Sequence, residues 1–89
     1  MNEPQNPEDL YPQQVPLKVV GDNGDTLREA LNSALARHLP EGTTVDFEMR
    51  ESSGGKYVAL TAIFVAESRE QLINVYTELR QCEAVRFLL

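Results

Sequence analysis

The chain has 89 residues, a net charge of −6, one cysteine and one histidine. That length allows a single domain with a thin core, which dimerisation would help; the acidity argues against nucleic acid and anionic membranes, whose binding rests on Lys and Arg. Cys82, alone, excludes an internal disulfide, a Cys-rich zinc site and an iron–sulfur cluster.

Hydrophobic residues at 42% and charged residues at 25% are the balance of an ordinary globular domain. No apolar run has the length of a membrane-spanning helix and no signal-peptide pattern is present, so a cytoplasmic protein is expected. Residues 1–14 carry Pro4, Pro7 and Pro12 among glutamines and acids, and no basic residue. Such a segment buries too little to offset its ordering entropy, so it is read as a flexible acidic arm, with Leu10-Tyr11 tacking its end onto the domain. The single domain is expected over 15–89.

Val15-Pro16-Leu17-Lys18-Val19-Val20 reads as a first strand, with Val15, Leu17 and Val19 on one face. Gly21 to Asp25 then turns the chain. Asp25 or Thr26 is expected to cap the next helix, Glu29 completing a capping box with Thr26. Leu27, Leu31, Ala34, Leu35 and Leu39 recur at helical spacing and form its buried stripe, and Pro40-Glu41-Gly42 ends it.

A second strand alternates Val45, Phe47 and Met49 with Asp46, Glu48 and Arg50, the pattern of a half-buried strand. Glu51-Ser52-Ser53-Gly54-Gly55-Lys56-Tyr57 is a hairpin signal. In the third strand the bulkier set is even-numbered: Val58, Leu60, Ala62 and Phe64. If odd residues of one strand and even residues of the next share the core face, opposed residues must sum to an odd number. Pairing Glu51 with Lys56 satisfies this and sets Met49 against Val58 and Phe47 against Leu60. Ser68 and Gln71 make a capping box for a second helix striped by Leu72, Val75, Tyr76 and Leu79. The chain closes on a strand expected to place Val85, Phe87 and Leu89 on one face. The order β-α-β-β-α-β predicts an α+β, ferredoxin-like sandwich. Its four-stranded antiparallel sheet would have strands one and three at the centre and both helices on one face.

The chemistry-bearing residues are few. Gly55-Lys56 lacks the earlier glycine and the following helix of a phosphate loop. Tyr57 opens the third strand as in RNA-recognition domains, but the first strand has no aromatic partner for it. His38 sits where a helix dipole favours a cation, and Ser52 and Ser53 suit a turn. No metal, cofactor or catalytic constellation is expected, and the hairpin residues Ser52, Ser53, Gly54 and Tyr57, with His38, form a motif without an assigned role. Two features suggest binding. The sheet face away from the helices would show Ala59, Thr61, Ile63 and Val65, flanked by Val20 and Leu88, a candidate interface. The turn Gly21-Asp22-Asn23-Gly24, at a helix N-terminus, could hold a carboxylate.

Tyr11-Pro12, Leu17-Lys18-Val19-Val20-Gly21, His38 with Pro40, Ser52-Ser53-Gly54-Gly55-Lys56-Tyr57, Glu70-Gln71-Leu72 with Tyr76 and Leu79, and Val85-Arg86-Phe87-Leu88-Leu89 together resemble the YbeD family of small bacterial proteins. The resemblance runs from Tyr11 onward and is most specific at the hairpin. It implies a ferredoxin-like fold similar to ACT-type regulatory domains, a regulatory role involving lipoic acid, and no catalytic residues. The expected function is thus a non-catalytic regulatory or adaptor domain, a dimer, sensing a small carboxylate such as lipoate or an amino acid. A pure protein-interaction module is the alternative. A third reading, an enzyme using Ser52 or Ser53 with His38, requires those side chains to come within hydrogen-bond reach.

Overall fold

A computed structural model of the protein describes residues 10–89. Residues 1–9, most of the expected arm, lie outside the described residues. The elements are β1 (Gln13–Asp22), α1 (Asp25–His38), β2 (Asp46–Glu51), β3 (Tyr57–Ala66), α2 (Arg69–Arg80) and β4 (Val85–Leu88). They form one antiparallel sheet in the order β2-β3-β1-β4, with β1 and β3 central as expected.

The core lies between this sheet and both helices. β3 supplies Val58, Leu60, Ala62 and Phe64, β1 supplies Leu17 and Val19, and the predicted stripe is buried in full, Leu27, Leu31, Ala34 and Leu35 from α1 and Leu39 from its C-cap. Val75 and Leu79 of α2 close it, with Leu72 and Tyr76 packed at its margin. Tyr11 also packs on this core, while Leu10 beside it is exposed.

β1 is longer than its apolar run. Gln13 and Gln14, assigned to the arm from composition, pair with Ala66 and Val65, and Gly21 and Asp22, assigned to the turn, pair with Val58 and Tyr57. Their side chains do not drive this; β3 is a ten-residue strand whose backbone groups need partners along its length.

The hairpin keeps the expected parity and shifts in register. Met49 faces Leu60 and Phe47 faces Ala62, so opposed numbers still sum to an odd value but each pair lies two residues beyond the predicted partner. The turn decides this. Ser52 N–H donates to the Tyr57 carbonyl at 2.9 Å, Tyr57 N–H donates to Ser52 Oγ at 3.1 Å, and Gly54 and Gly55 take the positive φ values of 90° and 73° between them. Closure falls at Ser52 and Tyr57, one residue later than at Glu51 and Lys56.

The caps divide. Gln71 N–H donates to Ser68 Oγ at 3.1 Å as expected, and the Gln71 side chain accepts from Glu67 N–H at 2.8 Å. At α1 the N-cap is Gly24, with no side-chain cap bond, because Asp25 and Thr26 are already drawn inside the helix.

β4 departs most from simple alternation. Val20 pairs with Phe87 but Gly21 pairs with Val85, so Arg86 is an extra residue in the strand. The bulge sends Val85 and Leu88 towards the core and leaves Phe87 and Leu89 on the open face, 65% and 69% exposed. The expected single-face set Val85, Phe87 and Leu89 is therefore split, and Phe87 replaces Leu88 beside Val20. β2 also differs from the half-buried strand expected: all six residues are exposed, Phe47 at 54% and Met49 at 52%, because this edge strand lies beyond the cover of α1.

Gly21 is required by a close approach. A Cβ there would overlap the Ala84 carbonyl and sit 3.1 Å from Leu27 Cδ1, whereas one at Gly24 would meet nothing within 4 Å. Gly21→Ala is expected to destabilise the fold by about 3 kcal/mol in urea denaturation, and Gly24→Ala by under ~1 kcal/mol. Phe64, 2% exposed, should lose about 3–5 kcal/mol on truncation to Ala. Phe47→Ala should cost under ~1 kcal/mol, since its ring has little burial to lose.

Candidate functional site

The Gly21–Gly24 turn sits at a junction of the fold rather than in open solvent. Asp22 N–H donates to the Ala84 carbonyl at 2.9 Å and Asn23 N–H to the Lys56 carbonyl at 3.1 Å. Asn23 Nδ2 donates to the Gly55 carbonyl at 2.9 Å, tying the turn to the hairpin loop. The Asp22 carboxylate takes two hydrogen bonds from Arg86, at 3.1 and 3.3 Å. It raises the Arg86 guanidinium above its ordinary pKa, through the hydrogen bond first and charge second. The Asp22 and Asn23 amides, the Asn23 side chain and the Asp22 carboxylate are thus engaged by the protein itself, while the first amides of α1 take no side-chain cap.

His38 lies elsewhere. Its Nε2 is 3.1 Å from Glu78 Oε1, and its carbonyl accepts from Gln71 Nε2 at 3.0 Å, so it fastens the end of α1 to α2. The hairpin loop touches the chain at Asn23, just before the opposite end of α1. A 14-residue helix is about 20 Å long, which places Ser52 and Ser53 far outside hydrogen-bond reach of His38. The Ser52 hydroxyl serves the turn, and Lys56 Nζ stands 5.4 Å from the Tyr57 ring centre. Cys82 is a half-buried free thiol at the core margin. Among the described residues no group of three His, Cys, Asp or Glu side chains converges as a metal site, and no helix is long and apolar enough to cross a membrane.

What the structure does bring together is apolar surface. On the face away from the helices, Ala59, Thr61, Ile63 and Val65 of β3 lie opposite Val20, Lys18, Pro16 and Gln14 of β1. Phe87 and Leu89 extend this face across the third strand. At the opposite edge of the sheet, Asp46, Glu48 and Arg50 of β2 form a charged margin opposite Ile63, Thr61 and Ala59.

A second surface was not foreseen. Between α1 and β2 runs an open groove of about 370 Å³, lined by Arg28, Leu31, Asn32, Phe47, Glu48, Met49 and Leu60. Arg28 crosses its mouth, with Nη2 3.2 Å from Met49 Sδ and Nη1 3.6 Å from Asp25. Alternation marked Phe47 and Met49 as inward-facing; no local pattern says that the helix above them falls short of the edge strand.

Comparison with known proteins matches this architecture. The chain is 18% identical to HP0495 from H. pylori, a solution structure, over 98% of this chain and 88% of that one, with a TM-score of 0.66. It is 14% identical to the ACT domain from GTP pyrophosphokinase of Chlorobium tepidum, over 85% of this chain and 94% of that domain, with a TM-score of 0.60. At these identities the likeness is one of fold. Sequence relatives include a UPF0250 protein of Chromobacterium violaceum, 35% identical over 89% of both chains. Another is the UPF0250 protein RSc0326 of Ralstonia nicotianae, 40% identical over 89% of this chain and 81% of that one. Residues 7–89 match the family model described as protein of unknown function (DUF493), and the chain therefore belongs to that family, the YbeD or UPF0250 proteins that its hairpin and strand motifs resemble.

Proposed function

We propose that the chain is a non-catalytic regulatory or adaptor domain that works by contact, through the sheet face its helices leave open. The observation carrying this reading is the set Val20, Ala59, Ile63, Val65, Phe87 and Leu89 on the open face of three adjacent strands, interrupted at its middle by Lys18 and Thr61, with Phe87 and Leu89 mostly exposed. An apolar surface of this kind, bordered by charge, suits a protein partner. The likeness to an ACT domain taken from GTP pyrophosphokinase supports a regulatory role. The separation of the hairpin serines from His38 speaks against the enzyme reading that would pair Ser52 or Ser53 with it.

A second reading, a sensor of a small amphiphilic carboxylate such as lipoate, is favoured by one observation. The α1–β2 groove has an apolar floor and a guanidinium at its mouth, the pairing that a carboxylate with a hydrocarbon tail would use.

Two experiments separate these readings. A tagged chain is expected to recover a stoichiometric protein partner, and Ile63→Asp or Phe87→Asp, each still melting within a few degrees of the parent, should lose it; recovery unaffected by both would defeat the contact reading. Titration of ¹⁵N-labelled chain with lipoate, and with octanoate for comparison, should move the amides of Arg28, Leu31, Met49 and Leu60 and fail in Arg28→Ala. Unmoved amides at millimolar lipoate would sink the carboxylate reading alone.

A further inference from the structure

The open face carries a charge at its middle that the fold leaves unanswered. Lys18, in the central strand β1, is exposed; on this face it has Val20 and Pro16 along its strand, Thr61 across it in β3 and Leu89 in β4. Among the described residues neither Lys18 nor Arg50 makes an ion pair, whereas Arg86 is paired with Asp22. Glu48 stands two strands from Lys18, beyond Thr61. The Leu89 oxygen that faces Lys18 is turned into the sheet, where it accepts the Lys18 N–H at 3.3 Å. An open hollow of about 750 Å³ is lined by Lys18 and, on its β2 side, by Glu48 and Arg50.

Apolar groups stand on both sides of this ammonium. Ile63 and Val65 lie towards one end of the sheet, and Val20 and Phe87 towards the other. Val65 pairs with Gln14 and Phe87 with Val20, so the outer members of the two groups are about 20 Å apart along the strands. A partner that covers both groups also covers Lys18.

We propose that the partner of this face presents an amphipathic helix of about four turns, with a carboxylate inside its apolar stripe that seats on Lys18.

The helix follows from the backbone. The strands direct their hydrogen-bonding groups along the sheet, so an extended segment laid on the face would bury N–H and C=O groups without partners; a helix satisfies its own. Its length follows from the separation of the two apolar groups, which about four turns span. The carboxylate follows from charge, since an apolar residue over Lys18 would leave the ammonium desolvated and alone. Asp46 and Glu48 along the margin favour basic residues on the flank of the helix that faces β2, and they oppose an anionic membrane. A second copy does not supply this chemistry. Twofold stacking centred on the middle of the face would set Lys18 against Lys18. The assignment rests on the contact reading of this face and gives that reading a chemistry.

A phage-displayed library of helical peptides of about four turns, randomised along one face and selected on the full chain, tests it. Peptides whose binding is lost in Ile63→Asp and Phe87→Asp report this face. They should carry Asp or Glu between apolar residues of the stripe. Lys18→Glu should weaken them about a hundredfold and Lys18→Arg should leave them bound, while exchanging the peptide acid for Lys should restore binding to the Lys18→Glu chain. Face-dependent peptides without such an acid, or indifferent to Lys18→Glu, would overturn the proposal and leave the contact reading standing. If no selected peptide depended on Ile63 or Phe87, both would fall. A chain that dimerises in sedimentation equilibrium and loses the dimer in Ile63→Asp would give the face to a second copy, against the proposal.

Discussion

The corner at Gly21, Asp22 and Asn23 is the constraint on which the rest of the molecule depends. Within three residues the chain ends its central strand, meets the approach to β4 through the Ala84 carbonyl, and reaches the hairpin loop through Asn23. Gly21 lets the backbones come close, Asp22 anchors Arg86, and Asn23 caps the distance between helix start and loop. A side chain at Gly21 would push β4 away from β1, and with it Val85 and Leu88, which seal that end of the core. The residues that read in sequence as a ligand loop also rivet three parts of the fold together.

Most of the fold was legible because it is written in two periods. The stripe Leu27, Leu31, Ala34, Leu35 and Leu39 is buried as its spacing implied, and the even residues of β3 are all inside. Parity carried the hairpin even though its register moved by two, since a shift of two leaves every side chain on its own face. Where reading failed, long-range geometry had overridden a local cue. The ends of β1 are strand because β3 is there to pair with them, a fact no window around Gln13 or Asp22 contains. Thr26 has the right spacing for a capping box, but the path of the chain out of Asn23 starts the helix two residues too early for it.

The candidate surfaces were legible in proportion. Ala59, Thr61, Ile63 and Val65 do share the open face, since alternation in a ten-residue strand leaves no other arrangement. Phe87 was missed as their neighbour because a single extra residue, Arg86, inverts the alternation of β4. The groove beside Arg28 was invisible because its existence depends on how far α1 reaches over the sheet, which is set by helix packing and not by either sequence segment.

The strand order has a kinetic side. Among the described residues β2 and β3 are the only paired strands that follow one another in the chain; β1 joins β3 across the whole of α1 and β2, and joins β4 across nearly the entire domain. The hairpin can close on its own, over a loop of a few residues, whereas the central strand must wait for long-range closure. On loop length alone the pairing of β1 with β3 follows the hairpin, and until β1 arrives the hairpin has two open edges rather than one. A molecule built this way is most open to unintended pairing before it is finished, on the flank of β3 that the mature fold hides completely.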